Sequence, residues 1–374
     1  MRRELERIEI PGEHAARIRT WAVVETAFAE RQPVERRTRR LRPALALAVA
    51  LAVLAAGLSQ PGRAVVDGIR EAVGVERAAP ALFSLPARGK LLVRSDEGVW
   101  VVQHDGSRRL LGHYREASWS PFGRFVVATR QTELAALEPD GNVRWTLARP
   151  RPHNASWTGT RTDTRIVYVD RSGLRIVAGD GKGDRLLVAG ARAPLAWRPG
   201  PGRVLAYISA SEVRVQDVDT RRVLWRARLA GGRSPVRTLE WSSDGKRLLV
   251  LQPFGLRVYD QRGSVVEQDD PSDATQDADA TFRPHSNEVA VIRLHGSQST
   301  VFRLVDGATL FNGTGVFDQV TWSPEGRWLL VAWPTADQWA FVRVEGSGRR
   351  IRAVANVSEQ FRSRSFPSIA GWVP

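Results

Sequence analysis

A short phrase built around an aromatic residue recurs through most of the chain. Its clearest copies begin at Trp119, Trp241 and Trp322, and the first of them reads Trp-Ser-Pro-Phe-Gly-Arg. With looser copies included, the successive anchors are separated by 36, 38, 40, 44, 41 and 40 residues. The seven anchors are Phe83, Trp119, Trp157, Trp197, Trp241, Phe282 and Trp322. Repeats of about 40 residues are typical of β-propellers, so seven anchors predict seven blades.

Each copy contains four segments with strand character. In the first copy these are residues 90–95, 98–104, 109–113 and 116–118, and the last segment leads into the next anchor. The Asp-Gly pair at 105–106 joins the second and third segments, and turn sequences recur at this place in the other copies. We therefore predict an all-β, seven-bladed propeller with four-stranded antiparallel blades.

The residue types of the phrase indicate a structural role. We expect the aromatic anchor to wedge between adjacent blades, the Ser-Pro pair to start a turn, and the glycine to supply a positive φ before the innermost strand. Three ways of closing the ring remain open. The last blade is complete in itself, or the segment near Phe83 crosses over, or the terminal segment 369–372 does so.

The N-terminal region carries the signals of a membrane anchor. Residues 1–42 contain eleven arginines and seven glutamates and end in a basic run, whereas residues 43–59 contain no charged side chain. A cleaved signal peptide is the alternative, but a leader of 42 residues is longer than such signals usually are. We predict a single transmembrane helix over 43–59, followed by a juxtamembrane helix or linker over 60–80.

The distribution of arginine predicts the orientation of this anchor. Five arginines lie within the seven residues before the apolar segment, and basic residues favour the cytoplasmic side. The protein is therefore expected in the cell membrane, with its N-terminus in the cytoplasm and a propeller over 81–374 outside it.

The cytoplasmic leader contains one amphipathic helical pattern, from about residue 13 to residue 31. Ile18, Trp21, Val24 and Phe28 lie on its apolar side at helical spacing. One such helix cannot build a core. Its apolar face is expected to lie on the inner leaflet, to pair with a second copy of itself or to bind a cytoplasmic regulator.

Composition argues against several function classes. The chain has no cysteine, so disulfides, thiolate metal sites and cysteine nucleophiles are excluded. The net charge is +15, but the basic residues are scattered arginines with only three lysines, so we predict no nucleic-acid partner. The six histidines show no metal-binding spacing, and the sequence gives no signal for a cofactor.

The stretch 269–279 is the one local concentration of carboxylates. Asp273, Asp277 and Asp279 could hold calcium, but the glycine and closing glutamate of a dedicated calcium loop are missing. A solvated loop between blades is the preferred interpretation, and the calcium question stays open.

The phrase Trp-Ser-Pro-x-Gly-Arg resembles the repeats of TolB-type propellers, which are relatives of the WD-repeat family. The resemblance covers about residues 81–374, with strong copies at Trp119 and Trp322, a fair one at Trp241 and degraded ones elsewhere. It implies an exported propeller used as a binding platform. The chain departs from TolB itself in lacking a preceding α/β domain and in carrying the membrane anchor.

These observations lead to one functional hypothesis and one alternative. The first is a membrane-anchored binding or sensing platform for a protein, peptide or envelope glycan, with signalling through the cytoplasmic helix. No Gly-x-Ser-x-Gly pentapeptide occurs, which argues against a serine peptidase. We predict a binding module and not an enzyme, and assign no catalytic residue. The alternative is a lactonase-like or glycan-cleaving propeller with carboxylates at its central channel.

Overall fold

The computed structural model describes residues 84–160, 163–200, 202–230, 235–345 and 350–374. The predicted leader, transmembrane segment and linker lie outside these residues, as does Phe83. Within the described ranges, no helix has both the length and the apolar character needed to cross a bilayer.

In this part of the chain, 28 strands form seven four-stranded antiparallel sheets. The first fourteen strands are β1 (Lys90–Arg94), β2 (Val99–Val102), β3 (Arg108–Gly112), β4 (Glu116–Trp119), β5 (Val126–Thr129), β6 (Glu133–Leu137), β7 (Val143–Ala148), β8 (His153–Gly159), β9 (Thr164–Asp170), β10 (Gly173–Ala178), β11 (Arg185–Ala189), β12 (Ala191–Trp197), β13 (Val204–Ser209) and β14 (Glu212–Asp217).

The remaining strands are β15 (Val223–Arg228), β16 (Thr238–Trp241), β17 (Arg247–Gln252), β18 (Gly255–Asp260), β19 (Val265–Asp269), β20 (Thr275–Phe282), β21 (Val289–His295), β22 (Gln298–Arg303), β23 (Thr309–Thr314), β24 (Gln319–Trp322), β25 (Trp328–Trp333), β26 (Gln338–Arg343), β27 (Ile351–Ala355) and β28 (Ser368–Val373). A short helix, α1 (Val357–Gln360), lies between β27 and β28.

Six blades are consecutive in sequence and the seventh closes the ring. Blades 2 to 7 each use four successive strands, from β4–β7 to β24–β27, whereas blade 1 has the order β28-β1-β2-β3. The first strands of neighbouring blades contact one another in an unbroken circuit. The predicted seven-bladed propeller is thus confirmed, and of the three closures left open the terminal segment provides the one observed.

The innermost strand of each blade is the one that runs into the anchor, not the one that follows the phrase. In blade 2, for example, β4 ends at Trp119 and contacts the first strands of both neighbours, whereas β5 is second in its sheet. The expectation that the innermost strand follows the glycine was therefore wrong. The continuous apolar run of the following strand, of which all four residues of β5 are buried, reflects burial between two neighbouring blades and not a place at the channel.

Antiparallel pairing places the connections on two opposite faces of the ring. The phrase joins strands one and two, and the Asp-Gly-type turns join strands three and four, so both lie on one side, here called the phrase face. Loops between strands two and three, and those that cross from blade to blade, lie on the other side, here called the crossover face. The described chain enters β1 and leaves β28 on the phrase face.

The hydrophobic core of the described region consists of seven clusters, one at each junction between neighbouring blades. Each cluster contains an aromatic residue that lies at the end of the first strand of the later blade or within two residues of it. These residues are Trp119, Trp157, Trp197, Trp241, Phe282, Trp322 and, in blade 1, Trp372. Trp197 is half-buried and the other six are buried. The place predicted for Phe83 as an anchor is thus occupied in blade 1 by Trp372.

The three clear phrases share a hydrogen-bonded turn. Ser120, Ser242 and Ser323 each accept a hydrogen bond at Oγ, at 3.0 Å, from the backbone N–H five residues later. The glycine of each phrase has a φ between 61° and 72°, which favours glycine over other residues. The phrase is therefore a turn closed by hydrogen bonds between its own residues.

The segment that crosses from blade 7 to blade 1 is fixed by packing and hydrogen bonds. Phe361, fully buried after α1, packs against Trp339 and Trp100, with ring centroids 5.2 and 5.9 Å away. Asp96 accepts hydrogen bonds from the backbone N–H groups of Arg364 and Ser365. The hydrogen bonds from Ser365 are the main cause that lowers the pKa of Asp96 to about 2. These contacts position β28 for pairing with β1.

Candidate functional site

Polar side chains on the innermost strands connect neighbouring blades around the channel. In five blades the residue three positions before the anchor is polar: Glu116, Asn154, Thr238, Asp279 and Gln319. Each of them hydrogen-bonds to the first strand of the next blade. Innermost strands of separate blades share no hydrogen-bond ladder. Most of these side chains instead bond to backbone groups that a neighbouring strand would pair within a sheet.

Four of these bridges have a side-chain oxygen as acceptor of a backbone N–H group. Glu116 accepts from Asn154, and Asn154 accepts from Leu195 at 3.2 Å. Asp279 Oδ2 accepts from Val320 at 3.0 Å, and Gln319 Oε1 accepts from Ile369 at 2.8 Å.

The fifth bridge joins two side chains of this set. Thr238 Oγ1 donates to Asp279 Oδ1 at 2.7 Å, across the junction of blades 5 and 6. The set of five therefore connects blade 2 to 3, 3 to 4, 5 to 6, 6 to 7 and 7 to 1.

Three carboxylates lie close to the channel in blades 5 to 7. Burial raises the pKa of Glu240 to about 8, and the charge of Asp279 adds to this shift. Burial also raises the pKa of Asp279 to about 6 and that of Asp318 to about 6, the latter with a contribution from Asp279. Glu240 and Asp279 are half-buried by surface area, so solvent reaches both although protein surrounds them. This cluster can hold protons near neutral pH.

The neighbours of Glu240 and Asp279 limit what these carboxylates can do. Thr281 Oγ1 and the Phe282 N–H group donate to Glu240 at 3.3 and 3.4 Å, and Asp279 accepts three hydrogen bonds in all. In the described ranges, no group of three or more histidine or acidic side chains is arranged to hold a metal ion. The two carboxylates therefore connect neighbouring strands, and Glu240 can also keep a proton near neutral pH.

The acidic stretch 269–279 is divided between different environments. Asp277 is buried and forms an ion pair with Arg293 at 2.8 Å, and Asp269 pairs with the same arginine. Asp279 belongs to the bridge already described, and Asp273 is exposed. The structure therefore does not bring together the three carboxylates considered as calcium ligands.

A cleft of about 370 Å³ opens on the crossover face at the junction of blades 2 and 3. Its lining comes from three loops or strand ends: the approach to β4, the β5–β6 connection and the β7–β8 connection. The polar lining residues are Arg115, Glu116, Arg130, Gln131, Arg151 and His153. The lining contains three arginines and one glutamate, so the cleft is basic.

Backbone hydrogen bonds fix the three segments to each other. The Arg115 N–H group donates to Thr129 at 2.8 Å, and the Arg151 N–H group donates to Gln131 at 2.7 Å. Arg151 and Asn154 both have a φ of 51°, in the left-handed region that non-glycine residues rarely adopt. Such positions cost about 1 kcal/mol or more and persist where the surroundings hold them, which here means that the cleft is preformed.

The three arginines differ in how they are held. Arg130 lies over the ring of Tyr114, with 4.3 Å from its guanidinium carbon to the ring centroid, and pairs with Glu133 at 3.1 Å. Arg115 and Arg151 are exposed and, within the described residues, have no carboxylate within 4.0 Å. Two guanidinium groups therefore remain available for an anionic ligand.

Sequence reasoning missed both features. The bridge residues could have been found by aligning the anchors, since polar residues recur three positions before them. The cleft had no comparable signal because its residues come from three loops of different spacing. The proposed partner face of Ile18, Trp21, Val24 and Phe28 lies outside the described residues.

Comparison with known proteins adds the fold but no family. No protein-family model matches the chain, and no curated protein matches it. Among solved structures, a chain of the Mitotic Checkpoint Complex aligns with a TM-score of 0.50 and 15% identity over 64% of this chain and 78% of that one. Hydrazine Synthase of Kuenenia stuttgartiensis aligns with a TM-score of 0.49 and 16% identity over 61% of this chain and 76% of that one. In all, 1308 chains match. At 15% identity, the likeness to the chain of the Mitotic Checkpoint Complex concerns the fold alone and selects no function.

Proposed function

We propose that this protein is a membrane-anchored propeller outside the cytoplasm that serves as a binding platform. The observation that carries the proposal is the preformed basic cleft on the crossover face, where Arg115 and Arg151 lack an acidic partner among the described residues. A propeller suits this role because its rigid blades hold loops from several repeats on one surface. The TolB-type resemblance and the apolar segment 43–59 support export and anchoring.

A tether would leave the cleft accessible. The described chain enters β1 on the phrase face, and the cleft opens on the opposite face. A propeller attached through the segment before β1 would present the cleft to a partner without the attachment point interfering.

The first test addresses location. Full-length protein carrying a C-terminal tag should remain with membranes after high-salt washing, and external protease should remove the tag from intact spheroplasts. Recovery in the soluble fraction, or protection of the tag from external protease, would contradict the proposal.

The second test addresses the partner. Crosslinking of the intact protein in membranes, followed by mass spectrometry, should recover a protein, peptide or glycan linked to residues of the crossover face. Crosslinks that fall mainly on the phrase face would contradict this assignment.

The cytoplasmic helix is proposed to bind a regulator or the inner leaflet. Replacing Trp21 and Phe28 together by alanine in the full chain should abolish a cytoplasmic crosslink if a regulator binds there. An unchanged crosslink pattern would leave the lipid surface as the site of this helix.

One observation favours the enzymatic alternative, namely the raised pKa of Glu240 at the channel. A carboxyl group that keeps its proton near neutral pH is suited to general acid catalysis. The hydrogen bonds that connect Glu240 and Asp279 to neighbouring strands favour the structural role instead. Hydrolysis of a panel of lactones or glycans that is lost in Glu240→Gln, with folding retained, would support the enzyme.

A further inference from the structure

We infer that the cleft between blades 2 and 3 binds an acidic peptide segment through Arg115 and Arg151; this rests on the proposed function and specifies its ligand. Both side chains are exposed at the rim of the cleft, and neither has a carboxylate within 4.0 Å in the described part of the chain. A guanidinium presents a planar set of donors that matches a carboxylate. Two such groups at one cleft suit neighbouring acidic side chains.

The preformed geometry strengthens this inference. The backbone N–H groups of Arg115 and Arg151 are each bonded to the β5–β6 region, so the two arginines are held on either side of it. Pro152, buried between the left-handed Arg151 and Asn154, fixes the path of the loop further. A ligand therefore meets arginines whose backbone is already ordered, which reduces the entropy lost on binding.

The lining favours a peptide segment over a lone anion. Gln131 offers an amide that can donate to a peptide carbonyl and accept from a peptide N–H group. The cleft, at about 370 Å³, has room for a side chain with its adjoining backbone and is larger than a lone ion requires.

The test measures binding of a fluorescein-labelled peptide of ten glutamates to the full-length protein in nonionic detergent, by fluorescence anisotropy. The cleft variant is Arg115→Gln with Arg151→Gln. The matched control is Arg124→Gln with Arg226→Gln, which removes two exposed arginines on the phrase face and on an outermost strand. Both variants change the net charge equally, so long-range attraction falls by a similar amount in each.

We expect the cleft variant to bind at least about tenfold more weakly than wild type, and the control variant to stay within about threefold. A decaglutamine peptide should not bind, and binding should weaken as salt rises. Thermal unfolding checks that both variants are folded, and single substitutions replace the pair if the double variant is not.

Three results would overturn the inference. They are no binding of the acidic peptide by wild type, equal losses in the cleft and control variants, or tighter binding of a phosphoserine peptide or inorganic phosphate than of the glutamate peptide. The last result would reassign the cleft to phosphate groups. Failure of the platform proposal is separate, since it would appear as loss of membrane location or of crossover-face crosslinks even where the peptide binds.

Discussion

Replacing Glu240 by glutamine should flatten the pH dependence of stability. In the folded protein the pKa of Glu240 is about 8, against 4.5 for an ordinary glutamate. Between these values the folded state binds more protons than the unfolded state. The contribution of this group to stability is therefore fully present below about pH 4.5 and is lost as pH rises toward 8.

The size of the effect follows from the shift. Each pKa unit corresponds to about 1.4 kcal/mol, so the full shift would give roughly 5 kcal/mol over the whole range. Solvent reaches the half-buried Glu240, and a measurement between about pH 5 and pH 8 covers only part of the titration. We therefore expect wild type to lose about 2 kcal/mol more than Glu240→Gln across this interval.

The assay is urea unfolding of wild type and Glu240→Gln at about pH 5 and at about pH 8. The change in unfolding free energy between the two pH values is measured for each protein, and the two changes are compared. This double difference removes the titration of Asp279 and Asp318, which both chains share, and also any pH-independent loss of the hydrogen bonds from Thr281 and Phe282. Glu359→Gln, at an exposed position in α1, serves as the control and should follow wild type. Equal pH dependence of wild type and Glu240→Gln would refute the reasoning.

Three further predictions concern the ring itself. Deleting residues 368–374 removes β28 and should lower the free energy of unfolding by more than about 5 kcal/mol, seen as loss of the cooperative transition in circular dichroism. Gly263→Ala should lower the free energy of unfolding by about 2 kcal/mol or more, because φ is 86° and the new Cβ would lie 2.9 Å from Trp225. Gly307→Ala lies in the equivalent turn of another blade, where a new Cβ would have no atom within 4 Å, and should cost about half as much. Trp119→Ala should cost about 3 to 5 kcal/mol by opening a cavity between blades 1 and 2, and a loss below 1 kcal/mol would contradict its role as a wedge.

The blades were predictable because each repeats the same two constraints. A large aromatic residue must find an apolar junction, and a turn glycine must adopt a positive φ, so Trp119, Trp241 and Trp322 fix the strands on either side of them. The segments predicted in the first copy match β1 to β4 within two residues at most of their ends. Local sequence is sufficient for such features.

Closure and the candidate sites were not predictable in the same way. Trp372 stands 50 residues after Trp322 and carries no phrase, because no strand of its blade follows it in the chain. Polar residues such as Gln319 are expected on an innermost strand whether they face water or the next blade. Arg115 and Arg151 meet at one cleft only because the ring brings separate loops together.

The pairing of β1 with β28 also determines when, during synthesis, the ring can close. Arg94 and Ser368 are 274 residues apart in sequence yet belong to paired strands. During synthesis, the inner edge of β1, with the fully buried Leu91, Leu92 and Val93, therefore has no partner until the six other blades have emerged. An unpaired apolar edge is prone to association with other chains, so prematurely terminated products should aggregate and become targets for quality-control proteases.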